Sequence, residues 1–253
     1  MHQFSVCALF KNESHILREW LEHYIYHGAD HFYLLNDESD DSYLSVLEKY
    51  ISNRTVTLID VNCERYPNRQ RDIYNKYMLP RLDETKWLLL CDLDEFVWSP
   101  SHVNITKLLE NCNHLAEIQV VQTLFGSNGH ITQPESVVKS FTMRRNCQFG
   151  STRTHGYKYF LNSSYPFTEL NVHYAIPKDP YDEKNRWLIL NDEYLILNHY
   201  SCQSKEWFEK KCKRTDANEF KSLTMSDFSE FDINEVEDTR LCQQNYPIKS
   251  MPL

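Results

Sequence analysis

Asp92, Asp94 and Glu95 stand close together in "WLLLCDLDEFVW", residues 87–98. The residues before them, Leu88 to Cys91, are apolar or thiol-bearing, and Phe96, Val97 and Trp98 resume the apolar run. Carboxylates are costly to bury unless they are paired, hydrogen-bonded or bound to a metal. Asp92 and Asp94 are two positions apart, and at a strand end the alternation of side chains puts both on one side. Two hard oxygen donors so placed suit a divalent cation such as Mn2+ or Mg2+. A cation there can neutralise a diphosphate and stabilise it as a leaving group. An arbitrary D-x-D also fits a solvated acidic turn, so the surrounding elements decide between the two.

Those elements alternate. "FSVCALF" (4–10) is a short apolar run of strand type, "KNES" a turn, and "HILREWLEHYIYHG" an amphipathic helix with Gly28 at its C-terminal cap. "HFYLLN" (31–36) is a second strand, and "DESDDS" leads through Ser42 as cap into the helix "YLSVLEKYI". "TVTLIDV" (55–61) is a third strand, "PNRQRDIYNKYMLPRL" a helix closed by Pro80, and "KWLLLC" (86–91) a fourth strand. Strand–helix alternation predicts βαβ units and a parallel sheet, whose ligands bind beyond the carboxyl ends of the strands. "KNE", "NDESDD" and "DLDE" each follow a strand, so all three loops should meet on one rim.

Beyond Trp98 the pattern is mixed. "NITKLLENC" predicts a helix; 116–125, 136–145, 157–162, 170–176 and 193–200 predict strands; "KEWFEKKCKR" begins a helical tail. Lys205, Lys210 and Lys211 read as a solvated helix face. No linker separates the two halves.

Bulk composition narrows the classes further. A chain of 253 residues, 41% hydrophobic and 25% charged, is globular. A net charge of −9 argues against nucleic acid as a partner. No run is long enough for a membrane span. "MHQFSVCALFKNES" lacks the regions of a signal peptide, so the expectation is a cytoplasmic protein or the soluble part of a membrane-associated enzyme. The eight cysteines form no CxxC pair and read as reduced, partly core residues. Four N-x-S/T sequons, at Asn12, Asn53, Asn104 and Asn162, carry little weight. His23 and His27 have the spacing of zinc-protease ligands but lack the intervening glutamate, so they read as packing or surface residues. P-loop, G-x-G-x-x-G and G-x-S-x-G motifs are absent.

"KNES", "REWLEHYIYHGADHFYLLNDESDD", "QRDIYNKY", "WLLLCDLDEFVW", "LFGSNGH" and "LNHYSCQSKEWFEKK" occur in this order over roughly residues 4–213. This series resembles glycosyltransferase family 92, the DUF23 type, and its family-2-like relatives. The resemblance implies a GT-A, Rossmann-like α/β fold, a nucleotide-sugar donor, divalent-metal dependence and inversion at the anomeric carbon. It assigns Asp92 and Asp94 to metal and donor, and it places His199 where a C-terminal metal ligand returns. Imidazole suits Mn2+, although a hydrogen-bonded strand histidine fits the local sequence equally. Glu95 and Phe96 complete the D-x-D-E-F form, and Glu95 could orient a ligand, act on the acceptor or brace the turn. Lys11, Asn12 and Glu13 should border the nucleoside, Asp37 should accept from base or ribose, and Gln70 and Arg71 should contact the donor. For these polar residues simple capping is the alternative. Lys158 matches a family lysine that faces phosphate or acceptor.

Inversion needs a base to deprotonate the acceptor hydroxyl. His130 and, in "PKDPYDEKNR", Asp179, Asp182 and Glu183 are the candidates. The expectation is thus a single α/β domain over 1–253, with a mainly parallel central sheet and a mixed C-terminal half. Its parts are a nucleotide-binding half (1–98), an acceptor half (99–215) and a helical tail (216–253). It should transfer a hexose or deoxyhexose from a UDP- or GDP-sugar to a glycan or glycoprotein acceptor, with Mn2+ or Mg2+. The alternatives are a metal-dependent nucleotidyltransferase or phosphohydrolase, and a non-catalytic module of the same fold.

Overall fold

The computed structural model describes residues 1–101, 104–146, 156–179, 189–190, 193–213 and 223–244. The alternation expected of the first half is present. Strand β1 (His2–Phe10) leads into helix α1 (Ser14–Tyr26), β2 (His31–Asn36) into α2 (Tyr43–Ser52), and β3 (Val56–Asp60) into α3 (Arg69–Tyr77). A 3-10 turn (Leu79–Glu84) then takes in Pro80 and delivers the chain to β4 (Thr85–Leu90). These four strands lie parallel in the order β3-β2-β1-β4. Both faces are buried, because alternate residues serve different layers. Phe4, Val6, Ala8 and Phe10 of β1 pack into the layer that holds Trp20 and Tyr24 of α1, whereas Cys7 and Leu9 pack with Ile73 and Tyr74 of α3.

Helix α1 ends as "HG" suggests. The Gly28 N–H donates to the Ile25 carbonyl and the Ala29 N–H to that of Tyr24, with Gly28 at φ +100°. A side chain at Gly28 would also collide with Asn104.

The second half completes the sheet. It contributes β5 (Glu95–Trp98), α4 (Ile105–Asn111), β6 (Glu117–Leu124), α5 (Val137–Ser140), β7 (Met143–Arg144), β8 (Tyr157–Asn162), β9 (Phe167–Leu170) and β10 (Ala175–Pro177). Strands β11 (Ile189–Leu190) and β12 (Ile196–His199) follow, then α6 (Lys205–Cys212), α7 (Phe228–Phe231) and β13 (Val236–Glu237). Beyond β4 the order continues β8-β6-β12-β5, with β11 also on β6. β8 runs antiparallel to both β4 and β6, and β12 runs parallel to β6 and antiparallel to β5. The result is a mixed α/β fold around a large, mainly parallel sheet.

Three segments differ from expectation. The strand predicted over 136–145 is the short helix α5 followed by β7. Ser136 Oγ accepts from the Lys139 N–H, and the Glu19 carboxylate of α1 accepts from the N–H groups of Val137 and Val138. Capping therefore outweighs the β propensity of two valines. The strand predicted over 170–176 is the turn of the β9–β10 hairpin, with Leu170 of β9 at one end and Ala175 and Ile176 of β10 at the other. The helical tail is, among the described residues after 215, one four-residue helix and β13, which pairs with β7. No described helix is long and apolar enough to cross a membrane.

Candidate active site

The D-x-D turn lies between β4 and β5, at the carboxyl edge of the parallel strands. Its backbone is held from below by α1. Trp20 Nε1 donates to the carbonyls of Asp92 and Glu95, and the Tyr24 hydroxyl donates to that of Glu95. Leu93 is fully buried, so the residue between the aspartates anchors the turn in the core. Two of the three loops expected on this rim, those after β1 and β2, bond to each other. The Asn12 N–H donates to Ser39 Oγ, Asn12 Nδ2 to Asp40, and the Ser14 N–H to Asp41. Asp41 also accepts from the Tyr43 N–H, and Ser42 holds the N-cap position of α2 with its carbonyl, not its hydroxyl, bonded to the Ser45 N–H.

The two aspartates have different surroundings. Asp92 accepts from Gln70 Nε2 (3.1 Å) on one oxygen and from Lys158 Nζ (2.7 Å) on the other, and its side chain keeps 35% exposure. Asp94 is 8% exposed, with Lys211 Nζ at 3.2 Å from Oδ2 and His199 Nε2 at 3.5 Å from Oδ1. Burial works against the charge of Asp94, but Lys211 and His199 outweigh it and hold its pKa well below the usual carboxylate range. Burial likewise opposes the charge of Lys158, and facing Asp92 and Glu95 raise its pKa above the ordinary lysine value.

Sheet register brings His199 here. β12 pairs antiparallel with β5 so that His199 lies opposite Glu95. Burial lowers the His199 pKa and Asp94 raises it, the net effect being upward. Glu95 has no exposure. Its oxygens accept from the Asp92 N–H (2.8 Å) and from Gln122 Nε2 (2.7 Å), with Lys158 Nζ 3.4 Å away. The third carboxylate thus ties the Asp92 N–H to the Gln122 amide from a position out of water.

Other candidates fall in different places. Gln70 is in the cluster, whereas Arg71 turns outward and pairs with Asp72. Asp37 is buried in a two-point pair with the guanidinium of Arg69, so its oxygens meet a protein cation instead of open space for base or ribose. Lys11 Nζ is 3.6 Å from Glu38, and Glu13 is buried at the start of α1. Lys11, Asn12 and Arg65 line one side of an open cleft of about 880 Å³, and Trp207, Lys210 and Lys213 line the other. His130 Nε2 bonds the Ser140 carbonyl and its ring packs on Phe141, which ties it to the loop around α5. Asp179 is exposed just beyond β10. Asp182 and Glu183 lie outside the described residues. His23 and His27 are buried against β5, with His23 Nε2 2.7 Å from the Val97 carbonyl, as packing residues should be.

Four residues in or beside this cluster were not given a site role by sequence. Lys211, read as part of a solvated face, turns inward from α6 to Asp94. Arg69 precedes the two residues that were chosen. Gln122 joins Glu95 to His199. His173 bonds the Tyr157 carbonyl through Nδ1 (2.9 Å), one residue before Lys158. Burial, aided by the Lys158 ammonium, lowers its pKa, and the charges of Asp92 and His199 also act on it.

A divalent cation fits this donor set. Mg2+ and Mn2+ keep waters and substrate phosphates as ligands and need only one or two carboxylates from the protein. Asp94 and His199 face each other with one carboxylate and one imidazole, an acceptable pair for Mn2+. Among the described residues no three His, Cys, Asp or Glu side chains form a ready cage, and the Lys211 ammonium lies 3.2 Å from the other Asp94 oxygen.

The profile of glycosyltransferase family 92 matches residues 2–241. The chain belongs to glycosyltransferase family 92. Family 92 proteins of Oryza sativa subsp. japonica (23% identical over 217 residues) and Ricinus communis (24% over 227) each match 83% of this chain. The chain spans 35% and 37% of the lengths of those relatives. Among solved structures, S. aureus TarS 1–349 in complex with UDP-GlcNAc is similar over 81% of this chain and 60% of its own, with TM-score 0.41 and 16% identity. HddC from Yersinia pseudotuberculosis is similar over 78% of this chain and 93% of its own, with TM-score 0.41 and 12% identity. Family 92 membership accords with the series of motifs from "KNES" to "KEWFEKK".

Proposed function

We propose that the chain is a metal-dependent, inverting glycosyltransferase domain. It moves a hexose or deoxyhexose from a UDP- or GDP-sugar to a hydroxyl of a glycan or glycoconjugate acceptor. The observation that carries this reading is the Asp94–His199 pair at the carboxyl edge of the sheet, beside the Lys158–Asp92 pair.

Asp94 and His199 would hold Mn2+ or Mg2+, which when bound offsets charge on the departing diphosphate. Lys158 and Gln70 fix the two oxygens of Asp92, and its remaining exposure leaves lone pairs for donor hydroxyls. Lys211 places a second ammonium beside Asp94. In the displacement, the acceptor oxygen forms a bond to the anomeric carbon as the bond to the diphosphate oxygen breaks. The hydroxyl proton goes to a base. His173 serves this role best: a carbonyl only accepts, so Nδ1 donates to Tyr157 and Nε2 keeps its lone pair. Its lowered pKa keeps the ring neutral at physiological pH.

A thermal-shift screen of nucleotide sugars with and without Mn2+ tests the reading, since a ligand of the native state raises its stability. A donor whose shift needs Mn2+, and loses that dependence in Asp94→Ala, is expected. An unchanged shift in that variant would sink the site. Release of nucleoside diphosphate on turnover, as opposed to monophosphate, separates transfer from phosphohydrolase chemistry.

A further inference from the structure

Gln122 sits on β6 next to β12, with its side chain on the same face as Glu95 and His199. Its Nε2 donates to Glu95 Oε1 at 2.7 Å, and its Oε1 lies 3.2 Å from His199 Nδ1. The two contacts are chemically linked. Burial raises the Glu95 pKa to about 7, so in mildly alkaline solution it is a carboxylate that offers acceptors only, and the amide turns its NH2 toward it. The amide carbonyl then faces His199 and can only accept, so the proton of the neutral imidazole belongs on Nδ1. Nε2 faces Asp94, 3.5 Å from Oδ1: without a cation that carboxylate competes for the proton, and with a cation between them Nε2 offers its lone pair and the proton stays on Nδ1.

The surroundings favour this one orientation. The other Glu95 oxygen is taken by the Asp92 N–H, and Gln122 is itself buried. Gly156, whose carbonyl accepts the Gln122 N–H, lies against the amide. A Cβ there would come 2.8 Å from Gln122 Oε1. A glycine at this position leaves the amide room to sit between its two partners.

We infer that Gln122 is a positioning residue that sets the tautomer of His199 and presents its unprotonated Nε2 to a divalent cation shared with Asp94. Glu95 acts through Gln122 by fixing which end of the amide faces the imidazole. The third carboxylate of the D-x-D-E sequence thereby reaches the metal position without touching it. This deepens the metal-dependent reading above and rests on it for the identity of the ligand.

The test has two readouts. 15N spectra in mildly alkaline solution with saturating diamagnetic Mg2+ and UDP, with His199 assigned by the signal lost in His199→Asn, report the tautomer directly. Protonated Nδ1 with unprotonated Nε2 is expected in the wild type, and loss of that preference in Gln122→Met. Binding of Mn2+, alone and with UDP or GDP, is followed by the electron paramagnetic resonance of free Mn2+. Gln122→Met should weaken it about 10- to 100-fold, the usual effect of losing an outer partner of a metal-bound histidine. A wild-type protein with the proton on Nε2 would overturn the inference whatever the variant does. So would a folded Gln122→Met that keeps both tautomer and affinity. A wild type that shows the Nδ1–H tautomer yet binds no Mn2+ would support the relay and overturn the metal reading, so the two failures are distinguishable.

Discussion

Lys211 Nζ lies 3.2 Å from Asp94 Oδ2, although 117 positions separate them in the chain. The same ammonium donates to the Ser201 carbonyl, so α6 is fastened to the D-x-D turn and to the loop after β12 at once. Without a metal, Lys211 and His199 together compensate a carboxylate that is almost out of water.

Removing Lys211 should therefore cost stability in a metal-dependent way. Lys211→Met is expected to lose about 1–3 kcal/mol in the presence of a chelator, because a mostly buried carboxylate loses one of its partners. Saturating Mn2+ should restore most of the loss, giving a larger Mn2+ thermal shift than in the wild type. Unfolding curves with chelator and with Mn2+ check this. Equal losses under both conditions would show that Lys211 does no more than pack.

Glu95 separates bracing from chemistry. Glu95→Ala leaves Gln122 Nε2 and the Asp92 N–H without an acceptor in a dry site, and leaves Lys158 with Asp92 as its one carboxylate partner among the described residues. Breaking a buried charged network in this way costs about 3–5 kcal/mol. Urea unfolding should show that loss directly. If Glu95 instead acted on the acceptor, the variant would keep wild-type stability and lose only turnover.

Much of this centre could be read from sequence because it follows from local pattern. A run of leucines ending in Asp92 and Asp94 identifies a buried strand and its rim, and "LNHY" places His199 at the end of another. The residues that escaped are defined by tertiary neighbours. In "KEWFEKK", Glu206 and Lys210 pair four positions apart, as a surface helix suggests. Lys211 is one residue further, and only the position of Asp94 shows that this direction is inward. Gln122 gave no signal, since a polar residue at alternate positions in a strand usually faces water. The helix α5 escaped for the same reason. Its cap includes Glu19, whose contact across 118 positions overrides the preference of Val137 and Val138.

Arg69 and Asp37 make a prediction about the rim. Asp37 is 4% and Arg69 1% exposed, and Arg69 also donates to the Cys63 carbonyl. Arg69→Met would leave Asp37 buried with Arg65, at 3.5 Å, as its remaining cation among the described residues. A loss of about 3–5 kcal/mol is expected. Asp37→Asn in the same chain should recover part of it, so that the pair is non-additive. A double-mutant cycle in urea measures the coupling. Additive losses would mean that Asp37 is held by other groups and is available to a ligand.

His173 predicts the pH dependence. A base must be unprotonated to take the acceptor proton, so activity falls as pH falls through its pKa. Burial and the Lys158 ammonium lower that pKa from the ordinary histidine value of 6.5, which puts the acid limb of kcat/KM below pH 6.5. Lys158 should tune the limb, because without its charge the His173 pKa rises and the limb moves toward neutral pH. Substituting His173 by Gln, which keeps a hydrogen-bond donor for the Tyr157 carbonyl, should lower kcat by about 10²- to 10⁴-fold and leave donor binding unchanged. The residual activity should lose the acid limb. If His173→Gln retains both turnover and limb, the proton goes elsewhere, and exposed Asp179, just beyond the β9–β10 hairpin, is the next group to substitute.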